Sequence, residues 1–145
     1  MSALDALLNP VYSELKKEVC VGPRFIDTET KEPVRFTMRS LTQEERSTIR
    51  KRCIVTRDAD GSKYNEVDND LFLARCIVES CVEPDMKSVE FCTFRNDDGR
   101  NVTVAPDTAL KKRLLAKEYE RLAKAFMDLN MMDDADPAES EVTKN

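Results

Sequence analysis

Histidine is absent from this chain of 145 residues, and with it goes much catalytic chemistry. There is no Ser–His or Cys–His nucleophile pair and no His-containing zinc site. Carboxylates and lysines remain, but among 28 acidic residues some neighbour one another by chance. Positive charge is also scarce. The formal net charge is -5 and the pI about 4.9, the wrong balance for a nucleic-acid surface, which needs clustered cations. Arg50–Lys51–Arg52 is the local exception, and a basic run of this kind reads first as a solvated helix face. The N-terminus, MSALDALLNP, lacks a basic region and a long apolar run, so it does not read as a signal peptide. The most apolar stretch, Asp70 to Pro84, is too short and too acidic to span a bilayer.

Paired cysteine motifs are missing too. There are five cysteines and no CxxC. Cys76 and Cys81 are five apart, about 140° out of phase on a helix, so they do not converge on a metal. Cys20, Cys53 and Cys92 are isolated. All five are expected to be reduced, buried small hydrophobes, which implies a cytoplasmic location. The DADG at 58–61 invites a calcium-loop reading that fails on counting. With Gly61 at loop position 6, Thr56 stands at position 1 and Val67 at position 12, where the cation needs carboxylates. No metal, no cofactor and no enzymatic activity are expected.

What is present suffices for one domain: 41% hydrophobic residues for a core and 35% charged residues for solubility. The organising stretch is DLFLARCIVESCVEP. Leu71, Leu73, Ala74, Ile77, Val78, Cys81 and Val82 cover most of a helical circumference, with Phe72 and Cys76 flanking a polar stripe of Arg75, Glu79 and Glu83. A helix apolar nearly all round is buried on several sides. Asp68 or Asp70 caps it and Pro84 stops it. This predicts a central helix over about 70–83.

Before it, Val34, Phe36 and Met38 alternate with Arg35, Thr37 and Arg39, the period of a half-buried strand. With Val19 and Val21 they predict a β-hairpin over 18–40. Thr42 and Glu45 form a capping-box pair opening a helix to about Val55, with a thin apolar stripe. Residues 56–67 read as a loop or small hairpin turning at Asp60–Gly61. After the central helix, residues 86–105 stay ambiguous: a second hairpin around an Asp-Gly turn, or a short helix capped by Ser88, with the helix slightly favoured. From Asp107, Leu115, Tyr119, Leu122, Phe126 and Leu129 recur at 4, 3, 4, 3, an amphipathic stripe predicting one helix over about 107–130 packed on the central one. Glu120 and Lys124 form a well-oriented pair on it. The fold class is therefore α+β and mainly α, with an N-terminal β-hairpin packed on a small helical bundle. The divisions are an N-terminal segment 1–17, a globular domain 18–132 and an acidic tail 133–145, whose composition predicts disorder.

Several stretches together resemble the XkdN-like phage tail assembly chaperones: RFIDTETKEPVRFTMRSLTQEE, the helix ending in VEP-D, and LLAKEYERLAKAFMDLN. Order and spacing match over nearly the whole chain, from LNP to Met132. Family members often place Pro-Gly or Ala-Gly where this chain has Ala116–Lys117, which implies a less interrupted last helix here. They often end in a Gly-Phe-Asp-like element, where Met131-Met132-Asp133 stands. The resemblance implies a cytoplasmic assembly factor, absent from the mature virion, that coats the tape-measure protein and recruits tail-tube subunits. It also implies that a translational frameshift would fall in the acidic tail.

Such a protein needs apolar strips at the edge of a compact fold. Leu7, Leu8 and Tyr12 at one end and Met131 and Met132 at the other are the candidates, as partner contacts or as peripheral core. The N-terminal piece, in which Leu4, Leu7 and Leu8 share a face interrupted by Pro10, is either a docking motif or a segment folded onto the core. Tape-measure and tail-tube proteins are the expected partners and weak self-association is allowed for. Nucleic acid and membrane are not expected. The alternative function is a minor structural tail or tail-completion protein.

Overall fold

The computed structural model describes residues 1–130. A short helix α1 (Ala3–Leu8) precedes strands β1 (Lys16–Cys20) and β2 (Arg35–Arg39), then helix α2 (Gln43–Lys51). Strands β3 (Ile54–Ala59) and β4 (Ser62–Val67) lead into helix α3 (Asn69–Ser80) and strand β5 (Cys81–Glu83). A one-turn helix α4 (Val89–Cys92), strands β6 (Thr93–Arg95) and β7 (Asn101–Thr103), and helices α5 (Pro106–Arg113) and α6 (Ala116–Asn130) follow. The chain is α+β. The strands form an antiparallel sheet β1-β2-β5 and two separate hairpins, β3-β4 and β6-β7; the third strand of the sheet was not expected, and the two hairpins stand where 56–67 and 86–105 had left a hairpin open.

The central helix is α3. Asp68 caps it, its side chain accepting from the Leu71 N–H at 3.1 Å. Ala74, Cys76, Ile77, Val78 and Ser80 are buried. The core joins Ile77 and Cys76 to Met86, Leu110, Leu122 and Phe126, and to the inner sheet face of Val19, Phe36 and Met38. Val19 stands opposite Phe36 in the β1–β2 register, so their side chains share one face of the sheet.

Three boundaries differ from the sequence reading. The central helix ends at Ser80, not at 83. Cys81 pairs with Met38 and Glu83 with Thr37 as a third strand, while the buried Ser80 hydroxyl donates to the Arg39 carbonyl. Ladder bonds along β2 thus draw Cys81–Glu83 out of the helix before Pro84 acts. Val82, expected in the helix core, is exposed on that strand. The second helix ends at Lys51 and gives Ile54 and Val55 to β3.

The third difference is the break of the expected 107–130 helix. Leu114 is extended (φ -98, ψ 143) and divides α5 from α6. The Leu115 N–H donates to the Glu118 carboxylate at 2.7 Å, a start-of-helix interaction in place of a bond to the preceding turn. Three cations, Lys111, Lys112 and Arg113, occupy the last turn of α5, where they complement the helix dipole. Leu114 packs against the core, whereas Leu115, assigned to the inward stripe, is exposed. Asp107 sits in the first turn, with Pro106 at the helix start and Ala105 as a cap without a side-chain bond. The less interrupted helix implied by Ala116–Lys117 is therefore not what forms.

Local signals were kept elsewhere. Thr42 and Glu45 make the reciprocal capping box at 3.1 and 3.0 Å. The β3-β4 turn falls at Asp60 and Gly61, both at positive φ (51 and 80), the geometry of a tight hairpin turn that glycine permits. Both alternatives for 86–105 occur in series: Ser88 caps α4 through the Phe91 N–H at 3.3 Å, and β6-β7 closes the hairpin. Cysteines 53, 76, 81 and 92 are buried, but Cys20 is exposed, because it falls on the outward position of edge strand β1. Met131, Met132 and the 133–145 segment lie outside the described residues.

Candidate docking surface

The first fifteen residues hold the largest run of exposed apolar side chains. Ser2 opens α1 by a capping box with Asp5, at 3.1 and 3.3 Å. No residue of α1 is buried, so this helix does not fold down onto the core. Leu4, Leu7 and Leu8 are exposed, Leu7 to 76% and Leu8 to 67%. Beyond Pro10, Val11, Tyr12 and Leu15 are exposed as well, Tyr12 to 73%, and residues 11–16 line a shallow open hollow. The arm joins the sheet at its far end. Leu15 N–H donates to Ser40 Oγ at 2.8 Å, and Ser40 N–H to the Leu15 carbonyl at 2.8 Å.

Leu7, Leu8 and Tyr12 thus all lie exposed on the same N-terminal arm. The sequence reading missed Val11 and Leu15 as members of the same surface. Their signal was available: apolar residues continuing past Pro10 with no period that would bury them. A single short helix is marginal in water, and each leucine buried against a partner would contribute about 1.5–3 kcal/mol. An apolar run of this extent on one terminal arm is a candidate contact surface.

The polar clusters have another character. Arg39 binds Glu45 at 2.7 Å and Glu79 at 3.3 Å, and Glu79 also pairs with Lys87. Arg39 holds the Glu45 carboxyl down at about 2, so it stays ionised at neutral pH and ties the sheet to α2 and α3. Burial pushes the thiols of Cys76 and Cys81 up to about 11 and about 12, the opposite of an activated nucleophile. Among the described residues, no three Cys, Asp or Glu side chains converge as a metal site requires. No helix among them is long and apolar enough to cross a membrane.

An exposed apolar arm thus stands on a well-packed head. Compared with known protein families, the chain matches the phage XkdN-like tail assembly chaperone proteins over residues 4–142. The chain belongs to this family. No curated protein matches it. Among solved structures it is similar to the crystal structure of the protein yqbn, at 23% identity and a TM-score of 0.69. The similarity covers 92% of this chain and 99% of that one, and it bears on the fold alone. The fold of this tail assembly chaperone thus recurs over most of its length.

Proposed function

We propose that this chaperone binds the tape-measure protein of its phage and recruits tail-tube subunits while the tail is built. It acts in the host cytoplasm, catalyses no reaction and does not enter the mature virion. The observation that supports this is the run of exposed apolar residues Leu4, Leu7, Leu8, Val11, Tyr12 and Leu15 on one terminal arm, of which the helical part buries no residue. A tape-measure protein is long and helical, with apolar stripes that need cover until the tube encloses them. A head of this size is roughly 30 Å across by compact-domain scaling. A helix of several hundred residues runs far longer at ~1.5 Å per residue. Many copies must sit along one chain, and weak single contacts then suffice.

Co-expression tests the proposal. An insoluble tape-measure protein should become soluble and co-purify with more than one chaperone per chain. If it stays insoluble beside the intact chaperone and any frameshifted form, the assignment fails. Mass spectrometry of purified particles should find no copy of this chain. Its presence would favour a minor structural tail protein instead.

A further inference from the structure

Strand β1 is an open edge of the sheet β1-β2-β5. The Ser40 N–H donates to the Leu15 carbonyl at 2.8 Å, so the backbone at position 15 bonds toward β2. Bonded positions alternate along an antiparallel ladder. The backbone of Lys17 and Val19 therefore faces β2, opposite Met38 and Phe36, and that of Lys16, Glu18 and Cys20 faces outward. Those three residues are exposed. Among the described residues no second strand pairs with that side. An open edge of this kind is a template for a further strand.

The charges of β1 select the strand that fits. Lys16 and Glu18 stand two apart, so both side chains lie on the outer face of the sheet. A second copy of β1, run antiparallel about a two-fold axis normal to the sheet, keeps that face outward. With the axis at Lys17, Lys16 of each copy comes opposite Glu18 of the other, two opposite-charge pairs in all. Both positions bond outward, so the ladder closes through the same residues. Lys16 gives up only a loose contact with Glu14 at 3.7 Å. Lys17 meets its own copy on the inner face, where Asp128 of the same chain holds each one at 2.9 Å. Leu15, 55% exposed, comes opposite Val19 of the other copy. With the axis at Glu18 instead, two carboxylates would stand face to face, which destabilises a strand pair.

The hairpin β3-β4 also has open edges, but its charges do not fit this way. Arg57 and Asp58 on β3 are one apart, and Lys63 and Glu66 on β4 are three apart. Odd spacing puts each pair on opposite faces, so a two-fold axis cannot bring them together across the edge.

We propose that two copies of this chain pair through their β1 edges into one continuous antiparallel sheet, with the Lys16–Glu18 pairs on its outer face. The strand is five residues long, so the association belongs to the weak, reversible class. The two N-terminal arms leave from opposite ends of the paired strands, and the pairing stands whatever those arms bind.

Crosslinking and sedimentation of the full-length protein test this. Lys17→Cys in a Cys20→Ser background should form a disulfide-linked dimer under mild oxidation, because the two Cα atoms stand about 4.5 Å apart, within disulfide reach. Lys63→Cys in the same background lies exposed on β4 and measures random collision; it should crosslink far more slowly. Lys16→Glu and Glu18→Lys, each alone, should weaken dimerisation by about tenfold, since each dimer holds two such cross-strand pairs. The variant carrying both changes should recover wild-type dimerisation. A chain that stays monomeric at millimolar concentration, with Lys17→Cys crosslinking no faster than Lys63→Cys, would overturn the proposal. So would dimers of wild-type strength in both single reversals, which would assign the contact to another surface.

Discussion

Arg24 and Glu118 lie 94 positions apart and meet through two hydrogen bonds, Nε to Oε2 at 2.8 Å and Nη2 to Oε1 at 2.6 Å. Glu118 is 97% buried, 3% of its surface being exposed, and it also receives the Leu115 N–H at the start of α6. Arg24 further donates to the Arg113 carbonyl at 3.0 Å, at the end of α5. One ion pair thus fixes the loop after β1, the end of one helix and the start of the next. Gly22 completes the fit: a Cβ there would stand 3.3 Å from Glu118 Cγ and Oε2.

That pair sets an acid dependence. The Arg24 hydrogen bond, opposed by burial and aided by the Leu115 N–H, brings the Glu118 carboxyl down to about 2. A carboxyl depressed on folding contributes stability that is complete above its unfolded value, near 4.5, and is lost as pH falls toward about 2. Glu45, brought to about 2 by Arg39, acts in the same window. Melting temperature should fall between pH 5 and pH 2. Glu118→Gln should lower it at pH 7 and flatten that fall. A variant with the wild-type pH profile would remove Glu118 from the account.

Ile77→Asp should destabilise the fold by at least about 3 kcal/mol, because it buries a carboxylate with no partner. Ile77 has no exposed surface. Urea unfolding followed by circular dichroism measures the loss, and an unchanged midpoint would contradict the central placement of α3.

Cysteine labelling should separate the five thiols sharply. Cys20 is exposed and the other four are buried, with burial raising the thiols of Cys53, Cys76 and Cys81. Brief iodoacetamide treatment of the native protein should add one group, on Cys20. Treatment in denaturant should add five. Fast native labelling at Cys76 or Cys81 would disprove their burial.

Leu7→Ser with Leu8→Ser should leave the melting temperature within about 1 °C, since surface changes away from packed features are nearly neutral. The same variant should solubilise less co-expressed tape-measure protein than wild type. A lowered melting temperature would place the arm in the fold; full rescue activity would remove these leucines from the contact surface.

The sequence alone determined those parts of the protein whose hydrogen bonds close within a few residues. The Thr42–Glu45 capping box, the Ser88 cap, the Asp60–Gly61 turn and the alternation of β2 are local, and each formed as expected. The all-round apolar pattern of α3 likewise announced its burial, because no other packing hides such a helix. The family was legible in the same way, from ordered motifs along the chain. Tertiary structure decided the ends of the elements. Ser80 stops α3 against Arg39, 41 positions away, and Glu118 opens α6 while held by Arg24, 94 positions away. Periodicity cannot register such partners, so it carried α3 into Cys81–Glu83 and ran α5 into α6. For the same reason it placed Val82 and Leu115 inward, where the backbone turns them out. The arm was undecided by pattern, since Leu4, Leu7 and Leu8 make an apolar face whether or not anything covers it. Only the packed core, complete without them, left that face open.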